Sequence, residues 1–166
     1  MAKRKYLIIF TAFSLLFLAL AQIEAYAAFK THDNIARLFL RYNNKIGLKH
    51  ALFLSRIVHR EGDKHNLHPY VIAAVIVRES GVRSRVVSKT GDYGLMQIHL
   101  NAHRKKIKSV EDLFNPEINI ALGSRILADC IRHSKTLRGA LIRYSGGNKT
   151  MAERVLRTLR EMGYQP

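Results

Sequence analysis

The chain has 166 residues, of which 48% are hydrophobic, and its 28 Lys and Arg against 12 Asp and Glu give a formal net charge of +16. This length allows one domain of ordinary size with a real core, and the apolar content is too high for a disordered polybasic tail. The composition excludes a collagenous protein and a multi-pass membrane protein. The single cysteine, Cys130, excludes an intramolecular disulfide.

The first segment, residues 1–27, has the pattern of an export signal. A basic start precedes an apolar run at 7–21, and alanines occupy both small-residue positions before a predicted cut after Ala27. The run is shorter than the roughly 20 residues that span a bilayer, which favours cleavage over an uncleaved anchor. We therefore predict a signal peptide, a single domain at 28–166, and a location in the periplasm or cell envelope. If the segment is not removed, it would tether the domain to the inner membrane.

The predicted domain is itself basic. The export segment carries three basic residues and Glu24, so its removal leaves a formal charge of about +14. Basic side chains occur in almost every segment, and only residues 104–108 form a run. Such a charge raises encounter with anionic lipid, nucleic acid or an anionic wall polymer without selecting among them.

Hydrophobic spacing predicts helices over most of the domain. The first predicted helix begins at Asp33 and ends at Gly47, the second runs from Leu54 to about Asn66, and the third from Pro69 to Ser80. A fourth begins at Pro116, with Asn115 as its cap, and the last two span 136–144 and 150–162. The predicted apolar faces of the last long helices are Ile118, Leu122, Ile126 and Leu127, and Met151, Val155, Leu156 and Leu159. These patterns predict a mainly α domain.

Two segments of the predicted domain, residues 71–77 and 81–101, do not have the pattern of an ordinary amphipathic helix. Residues 71–77 are all apolar, so a helix there should be covered on nearly all sides, although the β-branched content also fits a buried strand. Residues 81–101 lose helical periodicity and gather glycines with Ser, Thr and Asp, which is turn chemistry. We expect this second segment to be irregular or to form short strands, with little sheet in the domain as a whole.

One acid occupies an unexpected place on the third predicted helix. Glu79 follows Ile72, Val75 and Ile76 at helical spacing, so it shares their stripe. Apolar surroundings raise the pKa of a carboxyl group, and an acid that keeps its proton near neutral pH can donate it to a leaving oxygen. The alternatives are an ion pair with a neighbouring arginine, at position 78, 83 or 85, and a frayed helix end that reaches solvent.

Four motifs occur in order along the chain, and the first of them begins at this acid. They are Glu79-Ser80-Gly81 with Ser88, Gly94-Leu95-Met96-Gln97-Ile98, Asn119-Ile120 with Gly123, and Tyr144-Ser145-Gly146-Gly147. Together they resemble the soluble lytic transglycosylase family, lysozyme-like murein lyases related to goose-type lysozyme, over about residues 60 to 160. The resemblance implies a lysozyme-like α domain whose short-strand segment lines a cleft, peptidoglycan glycan strands as substrate, and neither cofactor nor metal.

The resemblance also implies a role for each matched residue. Glu79 matches the catalytic acid that protonates the oxygen between N-acetylmuramic acid and N-acetylglucosamine. It then acts as base while the sugar's own 6-hydroxyl closes a 1,6-anhydro ring. The implied substrate-binding residues are the hydroxyls Ser80 and Ser88, the cleft wall Gly94, Met96, Gln97 and Ile98, Asn119 beneath the site, and Tyr144 facing the acid. Glycine at 94 would let the backbone approach a sugar, whereas Met96 and Ile98 fit an ordinary core equally well.

Two positions depart from the family pattern. Many relatives have asparagine where this chain has Ser145, and alanine near Asp92. Asp92 adds a carboxylate that could act as the second group of a hydrolase, since retaining and inverting glycosidases both use two. Alternatively, it caps the turn through its own backbone, as aspartate often does.

Other candidate sites have less support. His99 and His103 have the spacing of helical metal ligands, but no HExxH motif and no third ligand accompany them. Cys130 lies in an apolar helical stretch, which favours packing over nucleophilic activity.

Three functions therefore remain open: a murein lytic transglycosylase, a muramidase that hydrolyses the same bond, and a non-catalytic cationic protein that binds wall, membrane or nucleic acid. For the first, we expect a monomer with no specific nucleic-acid partner. It would remodel the wall locally for a secretion machine, a conjugation machine or a phage process.

Overall fold

Helices and one small sheet make up the part of the chain that the computed structural model describes, residues 34–104, 107 and 109–165. In chain order the elements are α1 (34–42), a 3₁₀ turn (Asn44–Ile46), α2 (Gly47–His65), α3 (Pro69–Ser80), β1 (Asp92–Tyr93), β2 (Ile98–His99), α4 (Leu100–His103), a 3₁₀ turn (Glu111–Phe114), α5 (Pro116–Arg132), α6 (Leu137–Tyr144) and α7 (Lys149–Glu161). The predicted mainly α domain with a short-strand segment is confirmed. The predicted signal peptide at 1–27 lies outside the described residues.

Helix α3 forms the centre of the core and carries the acid of interest at its end. Residues 71–77 are all buried, and α3 packs against α2 on one side and α7 on another. It begins at Pro69, and it ends where Gly81 adopts a left-handed φ of 60° and donates its N–H to the Val77 carbonyl. The prediction of a buried helix, and not a buried strand, is therefore confirmed with both of its ends.

The first predicted helix ends earlier than expected, while its predicted start at Asp33 lies outside the described residues. It ends at 42, and Gly47, with φ 71°, begins α2 instead of ending α1. Asn43 accounts for the break, because its side chain accepts from the Lys45 N–H at 3.3 Å and donates to the Val82 carbonyl at 3.0 Å. This second bond ties the start of the domain to the segment that follows α3.

The buried face of α5 also differs from the prediction. Ile118 is 42% exposed, and Leu122 and Ile126 are only partly buried, whereas Leu127 is buried as predicted. The residues that α5 does bury are Asn119, Ile120, Gly123, Ser124, Leu127, Ala128 and Cys130. A Cβ on Gly123 would lie 2.4 Å from the Met96 sulfur, so this small-residue face makes room for Met96.

Helices α6 and α7 match their predicted bounds within one residue, whereas α2 begins at Gly47, seven residues before the predicted Leu54. Asn115 caps α5 by accepting from the N–H groups of residues 117 and 118, and Thr136 caps α6. Helix α7 buries Val155, Leu156 and Leu159 as predicted, but Met151 is only half-buried. None of the helices in the described ranges is both long and apolar enough to cross a bilayer.

Candidate active site

Glu79 lies in the last turn of α3, half-buried, on the same stripe as the buried Ile72, Val75 and Ile76. Within the described ranges no hydrogen bond or ion pair reaches its carboxylate. Burial, together with the negative charge of Asp92, raises the pKa of Glu79 from 4.5 to about 7. The group is therefore poised to hold and release a proton at neutral pH.

The alternative of an ion pair between Glu79 and a neighbouring arginine is contradicted. All three guanidinium groups bond elsewhere: Arg78 donates to Thr158 and Tyr42, Arg83 to the Ser80 carbonyl, and Arg85 to Glu111. Arg78 also lies over the Tyr42 ring, 5.0 Å from its centroid, and Arg85 lies over Phe114 at the same distance. Among the described residues the Glu79 carboxylate thus has no cationic partner that would hold it ionised.

Tyr144 lies close to this acid, at the end of α6. Its hydroxyl donates to the Met96 carbonyl at 2.8 Å. Burial, reinforced by the charges of Glu79, Cys130 and Asp92, raises the pKa of Tyr144 well above its ordinary value of 10. The phenol therefore keeps its proton, and its hydrogen bond holds the turn that contains Met96.

Asn119 holds the same turn from below, and it is 1% exposed. Its side-chain amide donates to the carbonyls of Tyr93 at 2.9 Å and Leu113 at 2.8 Å, and its oxygen accepts from the Met96 N–H at 2.8 Å. One side chain of α5 thus joins β1, the turn after it and the second 3₁₀ turn. The resemblance implies a position for Asn119 beneath the site, and these hydrogen bonds are what its side chain contributes there.

Gly94 fits against Asn119. It has φ 75°, and a Cβ there would lie 2.2 Å from the Leu113 carbonyl oxygen and 2.4 Å from the Asn119 amide nitrogen. A side chain is therefore excluded by the protein beneath the turn. This reason differs from the predicted one, in which the glycine makes room for a sugar.

Gln97 has a left-handed backbone, with φ 48°. Its Nε2 donates to the Gly94 carbonyl at 2.9 Å and lies 3.4 Å from that of Val86. Its Oε1 has no partner in the described part of the chain. The side chain therefore offers one fixed acceptor.

The other predicted wall residues are placed differently. The Met96 and Ile98 side chains are 0% and 2% exposed and belong to the core. The backbone N–H and carbonyl of Met96 are likewise used within the protein, by Asn119 and Tyr144. Ser80 is also buried, and its hydroxyl donates to the Ile76 carbonyl and accepts from the Arg83 N–H, so it braces the helix end.

A polar network surrounds Asp92 on the paired strands. One carboxylate oxygen accepts from the hydroxyls of Ser88 and Thr90, each at 2.6 Å, and the other lies 2.8 Å from Nδ1 of His99, its opposite in the strand register. Burial alone would raise the pKa of Asp92, but the hydrogen bonds from these three residues lower it overall. Ser88 also accepts from the Asp92 N–H at 3.0 Å, so the aspartate and the turn hold each other.

Thr90 and His99 were not predicted to belong to this site. A usable signal was the alternation of polar residues at 88, 90 and 92, which brings them together in one tight turn. His99 was considered only as a metal ligand with His103, but its ring bonds Asp92, and the described residues contain no metal-binding group of three His, Cys, Asp or Glu.

Two other residues singled out in the sequence, Cys130 and Ser145, have side chains with structural roles. Cys130 is buried, and burial raises the pKa of its thiol, which opposes activation as a nucleophile. The Ser145 hydroxyl donates to the Leu141 carbonyl at 2.9 Å. This serine therefore closes the end of α6.

Comparison with known proteins gives a consistent family. Residues 56–161, more than half of the chain, match the model of the transglycosylase SLT domain. A relative named endo-type membrane-bound lytic murein transglycosylase A, from Citrobacter koseri, is 31% identical over 96 residues, which cover 52% of this chain and 47% of the relative. The protein of the same name from Klebsiella pneumoniae is 32% identical over 96 residues, with the same coverage.

The chain thus spans about half the length of these curated relatives. Among solved structures, an inactive mutant of lytic transglycosylase Slt from Pseudomonas aeruginosa matches 66% of this chain and 21% of its own, with 22% identity and a TM-score of 0.49. The extent of the family match decides the assignment: the chain belongs to the transglycosylase SLT domain family.

Proposed function

We propose that this protein is a peptidoglycan lytic transglycosylase, which cleaves the β-1,4 bond between N-acetylmuramic acid and N-acetylglucosamine and leaves a 1,6-anhydro end. The observation that carries the proposal is Glu79, an acid in apolar surroundings that has no ion-pair partner among the described residues and whose pKa is about 7. A carboxylic acid that is still protonated near neutral pH can protonate a glycosidic oxygen. Membership of the SLT family, whose relatives bear the name lytic murein transglycosylase, supports the same reaction.

The proposed reaction uses Glu79 twice, first as an acid and then as a base. Glu79 first donates its proton to the glycosidic oxygen, the bond from that oxygen to the anomeric carbon breaks, and N-acetylglucosamine leaves. The Glu79 carboxylate then takes the proton of the muramic 6-hydroxyl, whose oxygen bonds to the anomeric carbon. Glu79 ends the cycle protonated, and no water is consumed.

The other site residues would bind and orient the glycan. The Gln97 amide nitrogen is held by the Gly94 carbonyl, so its Oε1 can accept from a sugar hydroxyl or acetamido N–H. Tyr144 and Asn119 position the Met96 backbone from two sides. We assign Ser80 and Ser88 to supporting this arrangement, since their hydroxyls are already used within the protein.

The proposal includes a location and a role. The substrate lies in the cell envelope, and the export pattern of residues 1–27 and the positive charge of the domain favour delivery to an anionic wall. There the enzyme would open the wall locally for a secretion machine, a conjugation machine or a phage process, as a monomer.

Hydrolysis of the same bond is a second candidate, and Asp92 is the observation that favours it. The environments of Glu79 and Asp92 move the pKa values of the two carboxyl groups in opposite directions. This is the pattern of an acid paired with an ionised partner in glycosidases. In that mechanism Asp92 would act as nucleophile or as base for water.

The masses of the products distinguish the two candidates. Purified murein digested with the full chain is expected to yield muropeptides with 1,6-anhydro ends, each lighter by one water than the hydrolysed form. Mass spectrometry of the unreduced digest measures this directly. Products that carry ordinary reducing ends, with no anhydro ends, would establish hydrolysis and contradict the lyase.

Asp92→Asn gives a second, independent test through pH. Its negative charge raises the pKa of Glu79, so removing it lowers that pKa and shifts the alkaline limb of the kcat/KM profile to lower pH. As a lyase, the variant keeps its anhydro products and loses activity mainly above neutral pH. Loss of about a thousandfold at every pH would instead assign Asp92 to the chemistry of a hydrolase.

A further inference from the structure

A long stretch of the chain that includes the first half of α2 contains no acidic residue. Between Asp33 and Glu61 there is no Asp or Glu, while Lys and Arg occur at 37, 41, 45, 49, 56 and 60. It is the longest acid-free stretch of the chain, although residues 93–110 and 130–152 also contain Lys and Arg without Asp or Glu. It gives one part of the domain an undiluted positive charge.

The same stretch exposes large apolar side chains. Leu48 is 53% exposed and Phe53 is 38% exposed, both on the outer side of the first turns of α2. Beside them lies an open hollow of about 530 Å³ lined by Ile46, Lys49, His50, Leu52, Phe53 and Arg56. We call these six residues, with Lys45 and Leu48, the α2 face.

The cations of the α2 face are available for an external partner. In the described ranges no carboxylate lies within ion-pair distance of Lys45, Lys49 or Arg56. By contrast, Arg60, one turn beyond the face, lies near Glu61 and Glu117. The face therefore combines unpaired cations with exposed aliphatic and aromatic side chains.

We propose that the α2 face docks on a bilayer surface that contains anionic lipids. Interfacial helices bury Leu and Phe at the boundary between headgroups and acyl chains, while Lys and Arg remain among the phosphates. A nucleic acid would use the cations but would leave Leu48 and Phe53 in water. A lipid surface uses both parts of the face.

Flotation of the full chain with vesicles tests this charge pattern. Binding is expected to vesicles of phosphatidylcholine with phosphatidylglycerol, and much less to phosphatidylcholine alone. Lys49→Glu combined with Arg56→Glu should weaken binding to the anionic vesicles about tenfold or more. The matched control, Arg154→Glu combined with Arg157→Glu, makes the same charge change on exposed positions of α7 and should weaken binding about threefold at most.

A second measurement separates the face from the apolar run at 7–21, which could bind lipid by itself. A polarity-sensitive fluorophore is attached to Leu48→Cys or, as control, to Arg157→Cys, each in a Cys130→Ala background so that only one thiol is present. Anionic vesicles are expected to shift the emission to the blue at position 48 and not at 157. No shift at 48, or equal losses for the α2 and α7 charge pairs, would overturn the proposal.

Discussion

Glu79→Gln is expected to slow murein cleavage about a thousandfold, because the amide can neither donate the proton that the first step requires nor accept the proton that the second step releases. The side chain keeps its size and its place at the end of α3, so the fold should be retained. Release of muropeptides from purified murein, followed by chromatography and mass spectrometry, measures the loss. Glu117→Gln is the matched control, since this exposed glutamate lies at the start of α5 and should keep wild-type activity.

The stability of the same variant has a predictable pH dependence. An acid whose pKa rises from 4.5 to about 7 on folding binds more protons in the folded protein, so the stability of the wild type falls as pH rises through that window. Glu79→Gln lacks this contribution and should unfold at an equal or higher temperature at pH 8. Full murein-cleaving activity in a folded variant would contradict catalysis by Glu79, whereas an absence of cleavage by the wild type itself would favour the non-catalytic cationic protein.

Asn119→Ala is expected to lower the free energy of unfolding by about 3 kcal/mol or more. The substitution removes three hydrogen bonds of 2.8 to 2.9 Å and leaves two carbonyl groups and one N–H without their partner. It also releases the turn that carries Gly94 and Met96, so cleavage activity should fall along with stability. Urea denaturation monitored by circular dichroism measures the first effect.

The matched comparison is Asn115→Ala, four residues earlier on the same element. Asn115 caps α5 from an exposed position, and loss of such a cap costs about 1 kcal/mol. The role assigned to Asn119 requires the larger loss. An equal cost for the two variants would show that the side chain of Asn119 does not hold the turn.

Local signals predicted the two ends of α3 and the start of α5, although Gly47 was wrongly predicted to end the first helix. Pro69 and Gly81 fix the two ends of α3 through φ restriction and a left-handed cap, and Asn115 with Pro116 starts α5 in the same way. Each signal acts within a few residues of the chain. The position of Glu79 in the last turn of α3 therefore followed from the sequence, together with its apolar stripe.

The buried face of α5 was predicted wrongly, and it shows what local signals cannot predict. Ile118, Leu122 and Ile126 form a regular apolar stripe, yet the helix turns Asn119 and Gly123 towards the core. The reason is non-local, because the Met96 side chain packs against Gly123 and the Asn119 side chain bonds the Met96 N–H. Periodicity ranks side chains by hydrophobicity and contains no information about partners that are distant in sequence.

The hydrogen-bond network around Asp92 also depends partly on contacts between residues that are not adjacent in the sequence. The sequence offered two readings of this residue, a turn cap and a second carboxylate, and the structure contains features of both. Its bonds to Ser88 and Thr90 form the turn, while its charge acts on Glu79. The bond to His99 depends on the pairing of β1 with β2, which spacing along the chain does not specify.

The end of α3 has a consequence for proton affinity. Glu79 is the penultimate residue of this helix, where the aligned peptide dipoles present their negative pole, equivalent to about half an elementary charge. That field opposes a second negative charge and adds to the effects of burial and Asp92. Arg83 donates to the last carbonyl, that of Ser80, at 2.8 Å and offsets part of the field. The position of Glu79 at the C-terminal end of α3 therefore favours its protonated form, and the positive charge of Arg83 partly opposes this effect.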